Sequence, residues 1–456
     1  MKIFMLSIKL YFNFKGLLSV FLIAFWGLFL APFHTNLGQD KADYLSQLDK
    51  EMEGDIFANS FHGFVLYDLD SQKYLYEYNA DKYFTPASNV KIATLFAALT
   101  WLPDSLPAFQ YLVKGDSLIF WGTGDPTLLH SRFQNDTLIK FLDLAKDYKL
   151  YFSYTNYNDE SYGEGWAWED YRSEDGVEKS PLPIYQNMVE LSADGSCAVV
   201  CKPTYFVDFL VNKEDIEVKK FAIFRSLQNN DFFYNLSGDI DETVTQTLPF
   251  KPTPELIIAL LSDTLKREIS LIDYPIPAHA KTVYHSLKLP VLERMMQRSD
   301  NFLAEQLLLL CAHERFNTLN TEMIIEYTLR KKLRKLSHQP RWVDGSGLSR
   351  YNLFTPRSFV EILTQMRKIL PNETLLYNLF AVGGKKGTLA RRYTKYPPFL
   401  YAKTGTLSNN HSVSGYLTTK SGRRWCFSFL NNHHMHSPSK IANQMEKILT
   451  QLYLKY

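Results

Sequence analysis

The chain has 456 residues, 46% of them hydrophobic, with 21 Gly and 20 Pro. That is long enough for two or three domains with their own cores, and the composition excludes a disordered chain. The formal net charge is only +2 and no long run of one sign occurs, so nothing in the bulk electrostatics asks for nucleic acid as a partner.

At the N-terminus, Lys2, Lys9 and Lys15 precede an uncharged run from Gly16 to Phe33. A basic segment followed by such an apolar core reads as an export signal, with cleavage near Gly38 favoured. The run is also close to the roughly 17 to 20 residues that cross a bilayer, so the alternative is an uncleaved anchor that would associate the chain with a membrane. Residues 1–38 are assigned to signal peptide or membrane anchor. Everything after about Gln39 is expected outside the cytoplasm, in the periplasm or on the outer face of the cytoplasmic membrane.

After that segment, HGFVLYDLD and KYLYEYN alternate around Asp70 and Ser71, which predicts a β-hairpin. Pro86 and Ser88 mark a helix start, and the apolar positions Val90, Ile92, Ala93, Leu95, Phe96 and Leu99 carry the helix to about Leu102. From Pro103 the character changes to short strands with Tyr- and Asp-rich loops. The helical period returns over PVLERMMQRSDNFLAEQLLLLC, Pro290 to Cys311, and again from Pro356 to Ile369. Alternating strands follow in FLYAKTGT, SVSGYLTTK and RRWCFSFLNN, with a turn at Lys420 to Arg423, before a closing helix from about Lys440 to Leu454. Strands at both ends of the chain with helices between them predict one α/β (α+β) domain, split in sequence as 39–102 and 285–456, around an inserted strand-rich region over 103–284.

Cys197 and Cys201 are close enough to be bridged in an exported chain, and the spacing leaves disulfide and free thiols equally open. Cys311 and Cys426 sit in apolar runs and read as buried free thiols. No CxxC pair or zinc-site spacing occurs, so neither a metal nor a cofactor is expected. His433, His434 and His436 lack a carboxylate or Cys at ligand spacing and read as a loop before the last helix. Gly383 to Thr388, GGKKGT, departs from the nucleotide-loop pattern and reads as a tight turn.

The chemistry lies elsewhere. Ser88 and Lys91 stand at i and i+3 where a loop gives way to a helix, so both fall on one face, with free backbone N–H groups at the hydroxyl's end. A lysine desolvated by apolar neighbours, or crowded by a second cation, can lose its proton and activate a serine. Ser437 and Lys440 show the same spacing, so the pattern alone says little, and an N-cap serine with a solvated lysine is the plain reading of it. Order changes that. Ser299-Asp300-Asn301 follows in helical context and Lys403-Thr404-Gly405-Thr406 on an alternating strand, giving SxxK, SDN and KTG in sequence.

With these motifs the chain resembles the class C, low-molecular-mass penicillin-binding proteins, the D-alanyl-D-alanine carboxypeptidase and endopeptidase family. The likeness extends to GTGDPTL at Gly122 to Leu128, GWAWED at Gly165 to Asp170, DGSGLSRYN at Asp344 to Asn352, GGKKGTL at Gly383 to Leu389 and SGYL at Ser414 to Leu417. The resemblance implies a penicillin-binding/β-lactamase-like fold, with an antiparallel sheet and a helical subdomain. It also implies that Ser88 is acylated and Lys91 takes its proton. Ser299 would pass a proton to the leaving D-alanine, Asn301 would hold Lys91 and the substrate amide, and Lys403 would keep Ser299 polarised. Thr404, Gly405 and Thr406 would bind substrate, the two threonines gripping its carboxylate, with the N–H groups of Ser88 and Thr406 as oxyanion hole. Asp344 and Ser346 read as fixing a loop near the site. The implied partners are peptidoglycan stem peptides, with β-lactams as covalent inhibitors. Two rivals stand beside this reading: a serine β-lactamase, and a catalytically idle peptidoglycan-binding protein.

Overall fold

The computed structural model describes residues 36–193, 199–213, 222–235 and 244–456, with side chains from Tyr44 onward. The apolar run of the expected export segment, Gly16 to Phe33, and Cys197 lie outside the described residues, while the expected cleavage point near Gly38 falls within the first described helix.

Helix α1 (Asn36–Met52) leads into the predicted hairpin, β1 (Phe61–Asp68) and β2 (Lys73–Tyr78). Asp68 makes its turn, since one carboxylate oxygen accepts from the N–H of both Asp70 and Ser71 at 2.9 Å. A 3₁₀ turn, Ala87–Val90, then feeds α2 (Lys91–Trp101), which is buried without a break from Lys91 to Ala98. A helix apolar all round belongs inside a protein, and α2 lies there.

Next come β3 (Leu106–Lys114), β4 (Ser117–Gly122), α3 (Thr137–Leu144) and β5 (Lys149–Ser153). Short strands follow: β6 (Met188–Ala193), β7 (Val199–Lys202), β8 (Leu210–Asn212), β9 (Ile223–Arg225), β10 (Phe232–Tyr234) and β11 (Val244–Pro249). Helix α4 (Pro254–Leu265), β12 (Ile269–Leu271) and β13 (Lys281–His285) end this stretch. The strands form a five-stranded sheet, β12-β5-β4-β3-β13, and two three-stranded sheets, β8-β10-β9 and β11-β6-β7. Phe109, Phe120, Phe152 and Leu260 fill a core of their own among them.

The helical run read as continuous from Pro290 to Cys311 is two helices, α5 (Lys288–Arg298) and α6 (Asn301–Phe316), broken at Ser299. Ser299 takes a left-handed conformation (φ 62°), and the Asp300 carboxylate caps the new helix by accepting from the Leu303 N–H at 3.1 Å. The apolar period runs through both helices and cannot reveal a break of two residues, Ser299 and Asp300. Helices α7 (Thr321–Lys331), α8 (Pro356–Ile369) and α9 (Glu373–Leu379) follow. Then come β14 (Ala381–Val382), β15 (Leu400–Leu407), β16 (Asn410–Thr418), β17 (Arg424–Asn432) and α10 (Pro438–Lys455).

One six-stranded sheet, β14-β15-β16-β17-β1-β2, gathers both ends of the chain, and every neighbouring pair in it is antiparallel. Its strands alternate between two buried faces. Phe427 and Phe429 of β17 pack towards Leu48 of α1 and Met445 of α10, while Cys426 and Leu430 face the core of α2, α6 and α8. Cys201, Cys311 and Cys426 are buried free thiols. Among the described residues no helix is long and apolar enough to cross a membrane.

Candidate active site

Three separate segments meet at the edge of the six-stranded sheet. The turn before α2 supplies Ser88, the α5–α6 junction supplies Ser299 and Asn301, and β15 supplies Lys403 to Thr406. Ser88, Ser299, Asn301, Thr404 and Thr406 line one cavity of about 320 Å³.

The approach of β15 to the serine turn depends on Gly405. A Cβ there would stand 2.7 Å from the Pro86 carbonyl oxygen and 2.9 Å from the Ser88 nitrogen, so only glycine lets the strand come this close. Ala87, just before the serine, is held at φ 50°, a conformation that costs a non-glycine residue free energy and persists because the packing fixes it. Gly405→Ala is expected to leave the far-ultraviolet circular dichroism unchanged. It should slow covalent reaction of Ser88 with a β-lactam by about a hundredfold, since a displacement near one ångström costs that much in an oriented reaction.

Lys91 is fully buried, and its ammonium donates to Ser88 Oγ at 3.0 Å, to Asn301 Oδ1 at 2.6 Å and to the Ser346 carbonyl at 2.7 Å. Burial pushes its pKa down from 10.5 to about 8, against the opposing pull of Asp344, Glu305, Asp300 and Asp175. Lys403, also fully buried, donates to Ser299 Oγ at 2.8 Å and to the Thr404 carbonyl at 2.6 Å. Its pKa is held well below the usual lysine range, first by burial and then by the charge of Lys91.

Several participants carry no mark in the sequence. The Asn301 amide donates to the backbone oxygen and the carboxylate of Asp175, each at 3.2 Å, so a residue more than a hundred positions earlier orients an SDN residue. Thr404 Oγ1 donates to Thr388 Oγ1 at 2.8 Å, and the GGKKGT segment is a turn, as expected, that brings Thr388 to the cleft wall. Thr406 Oγ1 lies 2.9 Å from His411 Nδ1 on the neighbouring strand. The DGSG loop is buried and tied by two carboxylates: Asp344 accepts from the N–H groups of Gly347 and Ser349, and Glu305 accepts from those of Gly345 and Ser346. That scaffold presents the Ser346 carbonyl to Lys91. In contrast, Ser437 is exposed at the N-cap of α10, accepting from the Lys440 N–H at 3.4 Å, and has no place in the cleft. Asp300, the middle residue of SDN, pairs with Arg294 at 3.1 Å and caps α6.

An antiparallel sheet between helical layers, with a Ser-x-x-Lys pair at the head of a buried helix and a Lys-Thr-Gly strand across the cleft, defines an active-site-serine peptidase of the penicillin-binding class. More narrowly, the chain belongs to the D-Ala-D-Ala carboxypeptidase 3 (S13) family, which matches residues 44–452. It is similar to the D-alanyl-D-alanine carboxypeptidase DacB of Haemophilus influenzae, at 22% identity over 438 residues, which cover 81% of this chain and 85% of that one. The crystal structure of penicillin binding protein 4 (dacB) from Haemophilus influenzae superposes with a TM-score of 0.72 at 19% identity, covering 90% of this chain and 99% of that one. The same protein complexed with a β-lactam gives a TM-score of 0.68 at 18% identity, with the same coverage.

Proposed function

We propose that the chain acts as a D-Ala-D-Ala carboxypeptidase through an acyl-enzyme on Ser88, exported to the compartment where peptidoglycan stem peptides lie. Lys91, once uncharged, takes the Ser88 hydroxyl proton as Oγ attacks the carbonyl of the penultimate D-alanine. The developing oxyanion is met by the N–H groups of Ser88 and Thr406, and Thr404 with Thr406 grips the substrate carboxylate. The C–N bond breaks as Ser299 gives its proton to the leaving amine and recovers one from the Lys91 side. Water then hydrolyses the ester, returning Ser88 to its starting state. The same steps cut a cross-link between two stems, because the bond is again an amide from D-alanine. A β-lactam presents its ring amide to the same oxygen and remains attached as an ester.

The observation that carries this reading is the 3.0 Å contact from Lys91 Nζ to Ser88 Oγ, with Lys91 also donating to Asn301 and Ser88 sharing one cavity with Ser299 and Asn301. It is tested by incubating the purified chain with a stem pentapeptide. One D-alanine released per peptide, together with a β-lactam adduct that persists, supports it. Rapid β-lactam turnover without an adduct points instead to a β-lactamase, and an adduct-free protein that releases no D-alanine is an idle binder.

A further inference from the structure

A second cavity, of about 580 Å³, opens beside the catalytic cleft and takes no part in the chemistry above. Its walls are aromatic. Trp168 stacks on Tyr171 with ring centroids 5.6 Å apart and planes within 12°, and Tyr162 packs on Tyr171 at 5.7 Å. The platform is braced from below. The Arg225 guanidinium lies 4.3 Å over the Tyr171 ring and pairs with buried Glu178 at 2.9 Å, and Glu178 also accepts from the Tyr162 hydroxyl at 3.0 Å. Yet Trp168 is 74% exposed, and Tyr154, which also lines the cavity, is 42% exposed. Trp168, seated on the braced and buried Tyr171 and itself uncovered, offers what a ligand with a flat apolar face and a polar rim requires.

A pyranose ring has those properties: C–H bonds on its faces and hydroxyl or amide groups around its edge. We propose that this cavity binds the glycan strand of peptidoglycan, the amino-sugar polymer from which stem peptides hang. The inference rests on the reading of the cleft as a stem-peptide site. It draws on continuity between the two: the five-residue turn Trp168–Arg172 puts Trp168 and Tyr171 in the aromatic cavity and Asp170 in the catalytic one. The lining also keeps polar groups at the rim, among them Ser161 and Thr253, to meet the sugar substituents.

The test is calorimetric titration of the full exported chain with glycan strands stripped of peptide, for wild type, Trp168→Ala and Tyr154→Ala. Both residues are exposed, so neither change should unfold the protein. The expected result is binding by wild type that weakens about tenfold in either variant, as a lost aromatic stack predicts. With glycan-linked wall fragments as substrate, KM should rise in the variants at unchanged kcat, while a short soluble donor is cleaved as before. Glycan strands that do not bind wild type, or bind all three proteins equally, overturn the inference. So does binding of a free stem tetrapeptide in place of glycan. Glycan binding needs no hydrolysis, so wild type that binds strands but releases no D-alanine would sink the proposed reaction and leave this site standing.

Discussion

Ser88→Ala is expected to abolish covalent labelling by penicillin and to lower D-alanine release by about 10⁴-fold or more, as loss of a nucleophile does in other serine hydrolases. The change removes one hydroxyl that is half-buried and makes one hydrogen bond to Lys91, whose ammonium keeps Asn301 and the Ser346 carbonyl. The fold therefore has little reason to change, and intact-protein mass after penicillin treatment reads the nucleophile alone. Ser437→Ala supplies the matching control. That serine stands in the same Ser-x-x-Lys spacing but caps an exposed helix end, so its loss should cost about 1 kcal/mol of stability and leave labelling intact. An adduct that survives Ser88→Ala would mean that another residue is the nucleophile.

The contrast between those two serines shows how much of the site is legible in a sequence. Spacing alone cannot separate Ser88 from Ser437, since both stand three residues before a lysine at a helix start. The order of SxxK, SDN and KTG does separate them, because three segments bring their polar groups into one cleft and Ser437 stays outside it. The hairpin at Asp70, the closing strands and the turn at Lys420 are likewise readable, since period-two alternation and turn residues are local signals. What escapes is set by backbone and distance. The left-handed Ser299, which turns its hydroxyl to Lys403, sits inside an unbroken apolar period. The Ser346 carbonyl that holds Lys91 is a main-chain atom, and any residue type carries one. Asp175 reaches Asn301 across the chain, and Thr388 reaches the KTG strand through a turn, so neither follows from its neighbours.

The second large effect concerns the proton on Lys91. As a base it must be neutral, and its pKa stands near 8, below the ordinary value of 10.5 because the amine is buried. The neutral fraction thus grows as pH rises through 8, and kcat/KM for acylation is expected to climb with a midpoint near that pH rather than near 10.5. Lys91→Met should flatten the rise and lower acylation by about 10³-fold or more, with circular dichroism to show that the fold persists. Asp300→Asn separates electrostatics from the mere presence of an amine. Asn caps a helix as well as Asp does, so α6 keeps its start, yet one of the carboxylates that hold the Lys91 proton is gone. Removing a group that raises the pKa must lower it, so the acylation profile of Asp300→Asn should shift to lower pH while keeping its shape. A shift to higher pH, or a wild-type profile without a rise between neutrality and pH 9, would show that Lys91 does not take the serine's proton.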